Sequence, residues 1–245
     1  MKKYEKFFKN TGEIVERVLN TQGGQIEKAA EFVCETLAQD GLVHTFGVGH
    51  SHLVAEEVLW RSGTLVPIHA ILEPSMTGHS EILKSAYMEK LEGTGKIICD
   101  YHKITPPDSL IVISNSGNNQ APIDVAVEAR RRDVRVIGIC SVAYCSELKP
   151  CHSSGRKLID VVDVLIDNCG IIGDTSVKIA GVDQPLGPTS TITGAYIIHA
   201  VLIQAAQNLI DRGIVPKIYW SGSLPDGMEA NQQYVDEYWT RIRNL

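Results

Sequence analysis

The stretch Ser109–Pro122, SLIVISNSGNNQAP, decides the reading of this chain. Leu110, Ile111, Val112 and Ile113 form an apolar run without alternation, the pattern of a short strand covered on both faces. Ser114, Asn115, Ser116, Gly117, Asn118 and Asn119 then crowd hydroxyls and amides into a turn. Pro122 suits the first turn of a helix, where its missing N–H costs nothing. Val125, Val127 and Ala129 carry that helix to about Arg132. A helix start offers free N–H groups and a partial positive charge, so it attracts phosphate. Hydroxyls at the same point add donors without bulk. The turn therefore reads as a cradle for an anionic ligand, foremost a phosphate ester. Ser and Asn are also ordinary turn and cap residues, so the rest of the chain must separate the two readings.

Outward from this stretch, strands alternate with helices. Upstream, Leu42–Phe46 is a strand that runs into Gly47-Val48-Gly49-His50-Ser51 and a helix from His52 to Arg61. Leu65–Leu72 is a second strand, and Pro74–Gly78 reads as loop. Ser80–Leu91 and Gly95–His102 read as helices. Downstream, Val134–Cys140, Val162–Ile166 and Ser176–Ile179 read as strands, with loop text around Tyr144 and Pro150. Ser190 to Arg212 is a helix that is apolar nearly all round, which implies burial; Thr189 or Ser190 suits its cap. Two amphipathic helices precede the first strand, over 3–21 and Ile26–Ala38, with Gly23 and Gly24 between them and Gly41 as the stop. A Pro/Gly-rich loop over Pro216–Gly227 and a polar helix with Tyr234, Tyr238, Trp239 and Ile242 close the chain. The pattern predicts a doubly wound α/β fold: a mostly parallel sheet with helices on both faces, three layers, preceded by two N-terminal helices. It reads as a single domain over 1–245, with the helices in 1–40, the α/β core in 41–212 and a C-terminal loop and helix in 213–245.

Composition narrows the function. Among 245 residues, 44% are hydrophobic and 21% charged, ordinary values for a globular chain. The net charge of −6 argues against nucleic-acid binding, which favours a basic surface. Arg130, Arg131 and Arg132 read as favourable charges at a helix end. No apolar stretch is long enough to span a bilayer, and the first ten residues lack a secretory signal's apolar core, so no membrane partner and a cytoplasmic location are expected. The six Cys contain no C-x-x-C pair and read as free thiols. Cys145, Cys151 and His152 lie close in sequence, but no fourth ligand has a recognisable spacing. Neither a metal nor a cofactor is expected.

Ligands of an open parallel sheet bind at the carboxyl ends of its strands, where two polar turns fall, Gly47–Ser51 and Ser114–Asn119. A dinucleotide site is the main rival, because Gly47-x-Gly49 follows a strand and Glu73 closes the next one. The third Gly of that fingerprint, however, is His52. The P-loop motif is absent.

Taken together, Gly47-Val48-Gly49-His50-Ser51 and Ser114-Asn115-Ser116-Gly117, each after a strand, resemble the sugar isomerase (SIS) domain, the phosphosugar-binding fold. Gly187-Pro188-Thr189-Ser190-Thr191 before the long helix fits as well, and the resemblance runs from about Gly24 to Arg212. It implies that the S-x-S-G turn grips a sugar phosphate, with Asn119 where the family turn ends in Thr. Within the family, the phosphoheptose isomerases are the nearest comparison. That comparison implies a catalytic Glu on the helix after the first turn and a catalytic His on the long helix. His199 matches the His. Glu57 is the candidate carboxylate, nearer Ser51 than the family pattern has it and one helical turn from Arg61. The resemblance makes Gly49, His50, Ser51, Ser114, Asn115, Ser116, Asn119, Thr189 and Ser190 the candidate binding residues. It also implies a homodimer or higher homo-oligomer. The function expected is a phosphorylated-sugar isomerase working through an enediol; a non-catalytic phosphosugar sensor and an etherase acting on an amino-sugar phosphate are the alternatives.

Overall fold

Five parallel strands form the central sheet, in the order β2-β1-β3-β4-β5. The computed structural model describes residues 1–79 and 81–243. The strands are β1 (Val43–Gly47), β2 (Ile68–Ile71), β3 (Ser109–Ile113), β4 (Arg135–Cys140) and β5 (Val164–Asp167). β1 pairs with β2 and β3 in parallel register, Thr45 lying between Ala70 and Ile111. The apolar run at β3 is split by the pleat, as period 2 requires. Ile111 and Ile113 enter one core with Ile137, Ile139, Val164 and Ile166. Leu110 and Val112 enter the other with Phe46, Ile71 and Val136. All four β3 residues are almost fully buried, each contributing about 1.5–3 kcal/mol relative to exposure.

The first core is roofed by α1 (Lys3–Thr21), α2 (Gly23–Ala38), α3 (His52–Glu56) and α9 (Ser190–Asp211); the second by α6 (Thr94–Tyr101) and α7 (Gln120–Arg131). Between β2 and α6 lie two short helices, α4 (Pro74–Thr77) and α5 (Ile82–Met88), and α8 (Val142–Glu147) follows β4. The three-layer, doubly wound architecture expected from the alternation is thus present, with its two leading helices. The C-terminal helix α10 (Gly227–Tyr238) forms a satellite cluster in which Tyr219, Tyr238 and Ile242 cover Leu42 and Val66. Among the described residues no helix is long and apolar enough to cross a membrane.

Several local expectations change. Gly23 and Gly24 do not separate the first two helices; they begin α2, and the break is Gln22 alone, whose side chain accepts from the Asp167 N–H at 3.0 Å. After α2 the left-handed residue is Asp40, at φ 59°, rather than Gly41. Pro74–Gly78, read as loop, contains the single turn α4, with Pro74 at its first position. α3 ends at Glu56 instead of Arg61, and Trp60 then takes φ 50°. β2 is shorter than expected because Leu65 bridges to Ile218 in antiparallel sense. The helix expected over Ser80–Leu91 is α5; Ser80 lies outside the described residues. The predicted strand at Ser176–Ile179 is β6 (Thr175–Val177), which leaves the main sheet to pair antiparallel with β7 (Leu186–Pro188).

α9 is not buried all round. Ile192, Tyr196, Ile203 and Ile210 are 37%, 60%, 69% and 49% exposed. With His199 they form a stripe at helical spacing. On α1, Tyr4, Phe8 and Leu19 are exposed, while Ile14 and Val18 face the core.

Candidate functional site

Chain order gives the site its place. β1 connects outward to β2, whereas β3 and its successors build the sheet on the other side of β1. The crevice between the ends of β1 and β3 is the switch point at which doubly wound sheets bind ligands. Both polar turns fall there.

The first turn is Gly49–Ser51, a single 3-10 turn between β1 and α3. A Cβ on Gly47 would stand 2.6 Å from the Ser51 carbonyl group, so only Gly lets the backbone double back this closely. Ser51 does not cap α3 through its side chain. It lines a narrow cleft with Val54, Asn115, Asn168, Ser190 and Thr191. The second turn is closed by the Gly117 N–H donating to the Ser114 carbonyl at 2.9 Å. Gly117 has φ 60°, and a Cβ there would meet Cys145 Sγ at 2.9 Å. That Cys145 thiol is held below its ordinary value by a hydrogen bond with Cys140, whose own thiol is pushed up. Asn115 Oδ1 accepts from Asn168 Nδ2 at 2.9 Å, which ties the turn to the end of β5. Ser114 is buried and Ser116 half-buried. His50 is exposed and lines a neighbouring cavity of about 370 Å³ with Gly49, His52, His79 and Glu89.

Two carboxylates that carry no signature in the sequence stand beside the helix starts. Asp174 Oδ1 accepts the N–H of Thr189 at 3.0 Å and of Ser190 at 2.9 Å, and both hydroxyls also donate to this carboxylate. The cap of α9 is therefore Asp174, supplied across the β6–β7 hairpin, and neither Thr189 nor Ser190 caps the helix with its side chain. Glu89 ends α5. Its backbone carbonyl accepts from the Ala121 N–H at 3.1 Å, and its carboxylate bonds the Asn119 side chain. One of its oxygens lies 3.4 Å from the Cβ position of Gly49, so it stands between the two turns. Burial pushes its carboxyl up, with Lys90 and Asn119 opposing. No spacing in the sequence joins Glu89 to either turn; only the tertiary fold does.

His199 Nε2 lies 3.2 Å from Glu57 Oε1, and Arg61 Nε lies 3.1 Å from the same oxygen. The sequence-predicted acid–base pair is thus in hydrogen-bond contact, with the carboxylate held between an imidazole and a guanidinium. Glu57 lines an open cavity of 620 Å³ with Trp60, Arg61, Thr191 and Ala195. Val54 and Thr191 form the wall common to this cavity and the narrow cleft. His199 is two helical turns beyond Thr191, about 12 Å along the axis. The pair and the polar turns are therefore neighbours across a wall rather than members of one cleft.

The remaining sequence candidates are otherwise engaged. Glu73 faces His102 at 3.2 Å instead of a nucleotide position. Two buried histidines that the sequence reading did not single out, His44 and His69, pair in register early in their strands, away from the carboxyl ends, and burial with His44 nearby lowers His69 to about 2. Cys145 lies under Gly117, Cys151 Sγ accepts from Asn118, and His152 is held by Asp124 and Ser154, so these three do not converge. Arg130, Arg131 and Arg132 are all ion-paired, to Asp163, Glu128 and Asp100.

The architecture and the crevice define an α/β protein of the switch-point ligand-binding class. More narrowly, residues 6–141, more than half of the chain, match the SIS domain model, and the chain belongs to the SIS domain family. A UPF0309 protein of Listeria monocytogenes serotype 4b is 36% identical over 95% of this chain and 94% of its own length. Among solved structures, phosphoheptose isomerase GmhA from Neisseria gonorrhoeae superposes with a TM-score of 0.54 at 16% identity, covering 82% of this chain and 95% of that one. A phosphoheptose isomerase from Francisella tularensis superposes with a TM-score of 0.54 at 15% identity, covering 84% of this chain and 97% of that one. At these identities the two superpositions establish the shared fold.

Proposed function

We propose that this protein binds a phosphorylated sugar at the β1/β3 crevice and isomerises it between aldose and ketose. Ser51, Ser114, Asn115, Ser116 and Asn119 hold the phosphate and the first hydroxyls, with Gly49 and His50 at the edge. Glu57 and His199 carry the protons. One removes the proton from the carbon beside the carbonyl while the carbonyl oxygen gains one, which gives an enediol. A proton then returns to the neighbouring carbon while the hydroxyl on the carbon first deprotonated gives up its own proton to become the new carbonyl, so atoms and electrons balance without redox chemistry. The observation that carries this reading is the 3.2 Å contact between His199 Nε2 and Glu57 Oε1 beside the crevice. Membership of the SIS family supports the substrate class, as do the two phosphoheptose isomerases that share the fold.

Because the pair lies across a wall from the turns, the exposed stripe on α9 bears on catalysis. A second copy of the chain seated on Tyr196, Ile203 and Ile210 would enclose His199 and complete the site, consistent with a homo-oligomer. The same separation favours, as the second reading, a phosphosugar sensor in which ligand binding alters that contact. A panel of aldose and ketose phosphates incubated with the purified protein separates them: interconversion supports the enzyme, and stabilisation without turnover supports the sensor.

A further inference from the structure

Three side chains apart from the Glu57–His199 pair converge on one point. His52 opens α3, Glu56 is one turn further, and His79 comes from the segment between α4 and α5. His52 Nε2 and His79 Nε2 are 2.8 Å apart, and Glu56 Oε2 is 3.9 Å from His52 Nε2. All three ligand atoms lie within 4.8 Å of one another, the one such His/Cys/Asp/Glu group among the described residues.

The tautomer of His52 follows from its other nitrogen. Nδ1 contacts the Gly49 carbonyl oxygen, which can only accept, so Nδ1 carries the hydrogen and Nε2 of the neutral ring presents a lone pair. A backbone carbonyl in this position is the usual outer partner of a metal-binding His; it fixes the ring and makes the free nitrogen more basic. The ring is buried, at 4% exposure, whereas Glu56 and His79 are exposed. A hydrogen bond from His79 would account for the two rings alone. It leaves the Glu56 carboxylate, an acceptor, facing the same lone-pair nitrogen. A cation between the three groups removes that opposition. Ligand atoms around a tetrahedral zinc ion, each about 2.0–2.1 Å from it, stand roughly 3.3 Å apart, between the 2.8 and 3.9 Å found here.

We propose that His52, Glu56 and His79 form a binding site for a divalent transition metal of the zinc type. Three protein ligands leave one position for water or a ligand oxygen. His52 and His79 line the 370 Å³ cavity shared with Gly49, His50 and Glu89, so that position opens beside the first polar turn. That a phosphosugar oxygen takes the position rests on the function proposed above; metal binding itself does not.

The test is calorimetric titration of Zn2+ into the chelator-stripped full chain without any sugar. One ion per chain is expected at micromolar affinity or better. His79→Ala should weaken binding by more than about 100-fold, since even outer partners of a metal ligand are worth 10–100-fold. Glu56→Gln should weaken it as well, and His199→Asn should not. Because Glu56 and His79 are exposed, circular dichroism should show both variants folded; Co2+ then provides a visible spectrum that His79→Ala abolishes. Absence of stoichiometric binding, binding unchanged in both variants, or binding lost only in His199→Asn would overturn the site. Thermal shifts with sugar phosphates, measured on the metal-free chain, test the phosphosugar reading separately.

Discussion

Glu57 Oε1 lies 3.2 Å from His199 Nε2, although 142 residues separate the two in sequence. α3 and α9 bring them together, and Gly194 permits it: a Cβ there would stand 2.9 Å from a Val54 methyl. The contact turns two separate sequence candidates into one unit, in which the carboxylate can orient the imidazole.

Ser116, half-buried at the second turn, should act in binding. Sugar phosphates should raise the melting temperature and the dephosphorylated sugars should not; ligand at about 100 times Kd adds roughly 2.7 kcal/mol. Ser116→Ala should weaken phosphate-ester affinity by about 1.5–3 kcal/mol, one to two decades. Equal thermal shifts from phosphorylated and free sugars would remove the phosphate cradle.

The α9 stripe should be a subunit contact. Light scattering of the parent protein at micromolar concentration should give a dimer or larger, and Ile203→Glu should shift it toward monomer, since Ile203 is 69% exposed in the single chain and a charge there opposes an apolar contact. A parent protein that is monomeric would end this claim.

Glu89 should set an acid-side feature of the stability curve. Burial raises its carboxyl in the folded state above the unfolded value. The protonated form is therefore favoured by folding, and its stability contribution is complete below the unfolded value. That contribution is lost as pH rises through the folded value. Glu89→Gln removes the loss, so the variant should be more stable than the parent at neutral pH. The advantage should shrink as pH falls through the folded value and be largely gone below the unfolded one, about 4.3. The same variant should tighten phosphosugar binding by removing a negative charge between the two turns. Urea unfolding at a series of pH values reads the first effect; an advantage that grows toward low pH would contradict it.

The architecture is legible in the sequence because β3 and β4 are apolar runs bounded by turn residues, and because Gly47 and Gly117 mark places where backbone must approach closely. The position of both polar turns at strand ends follows directly from that alternation. Other features are hidden by tertiary partners. Gly-Gly at 23–24 reads as a break because local propensity disfavours Gly in helices, yet the pair forms the exposed first turn of α2, a helix held as a whole by its packing against α9. Residue type alone points to Thr189 or Ser190 as the cap of α9, whereas Asp174 reaches it from 15 residues upstream. Glu89 and the His52–Glu56–His79 group depend on how the α4–α5 segment folds over the first turn, which no periodicity encodes. The all-round apolarity of α9 is visible, but a single chain covers only part of it.

The most direct test of the account is incubation of the purified protein with a panel of aldose and ketose phosphates in D2O, followed by mass spectrometry. The account predicts interconversion of at least one pair, with deuterium entering at the carbon beside the carbonyl. It also predicts that His199→Asn binds that substrate normally and turns over about 10²–10⁴-fold more slowly. A folded His199→Asn variant that binds normally and turns over at the parent rate, or a parent protein that binds sugar phosphates and exchanges no deuterium into any of them, would contradict it.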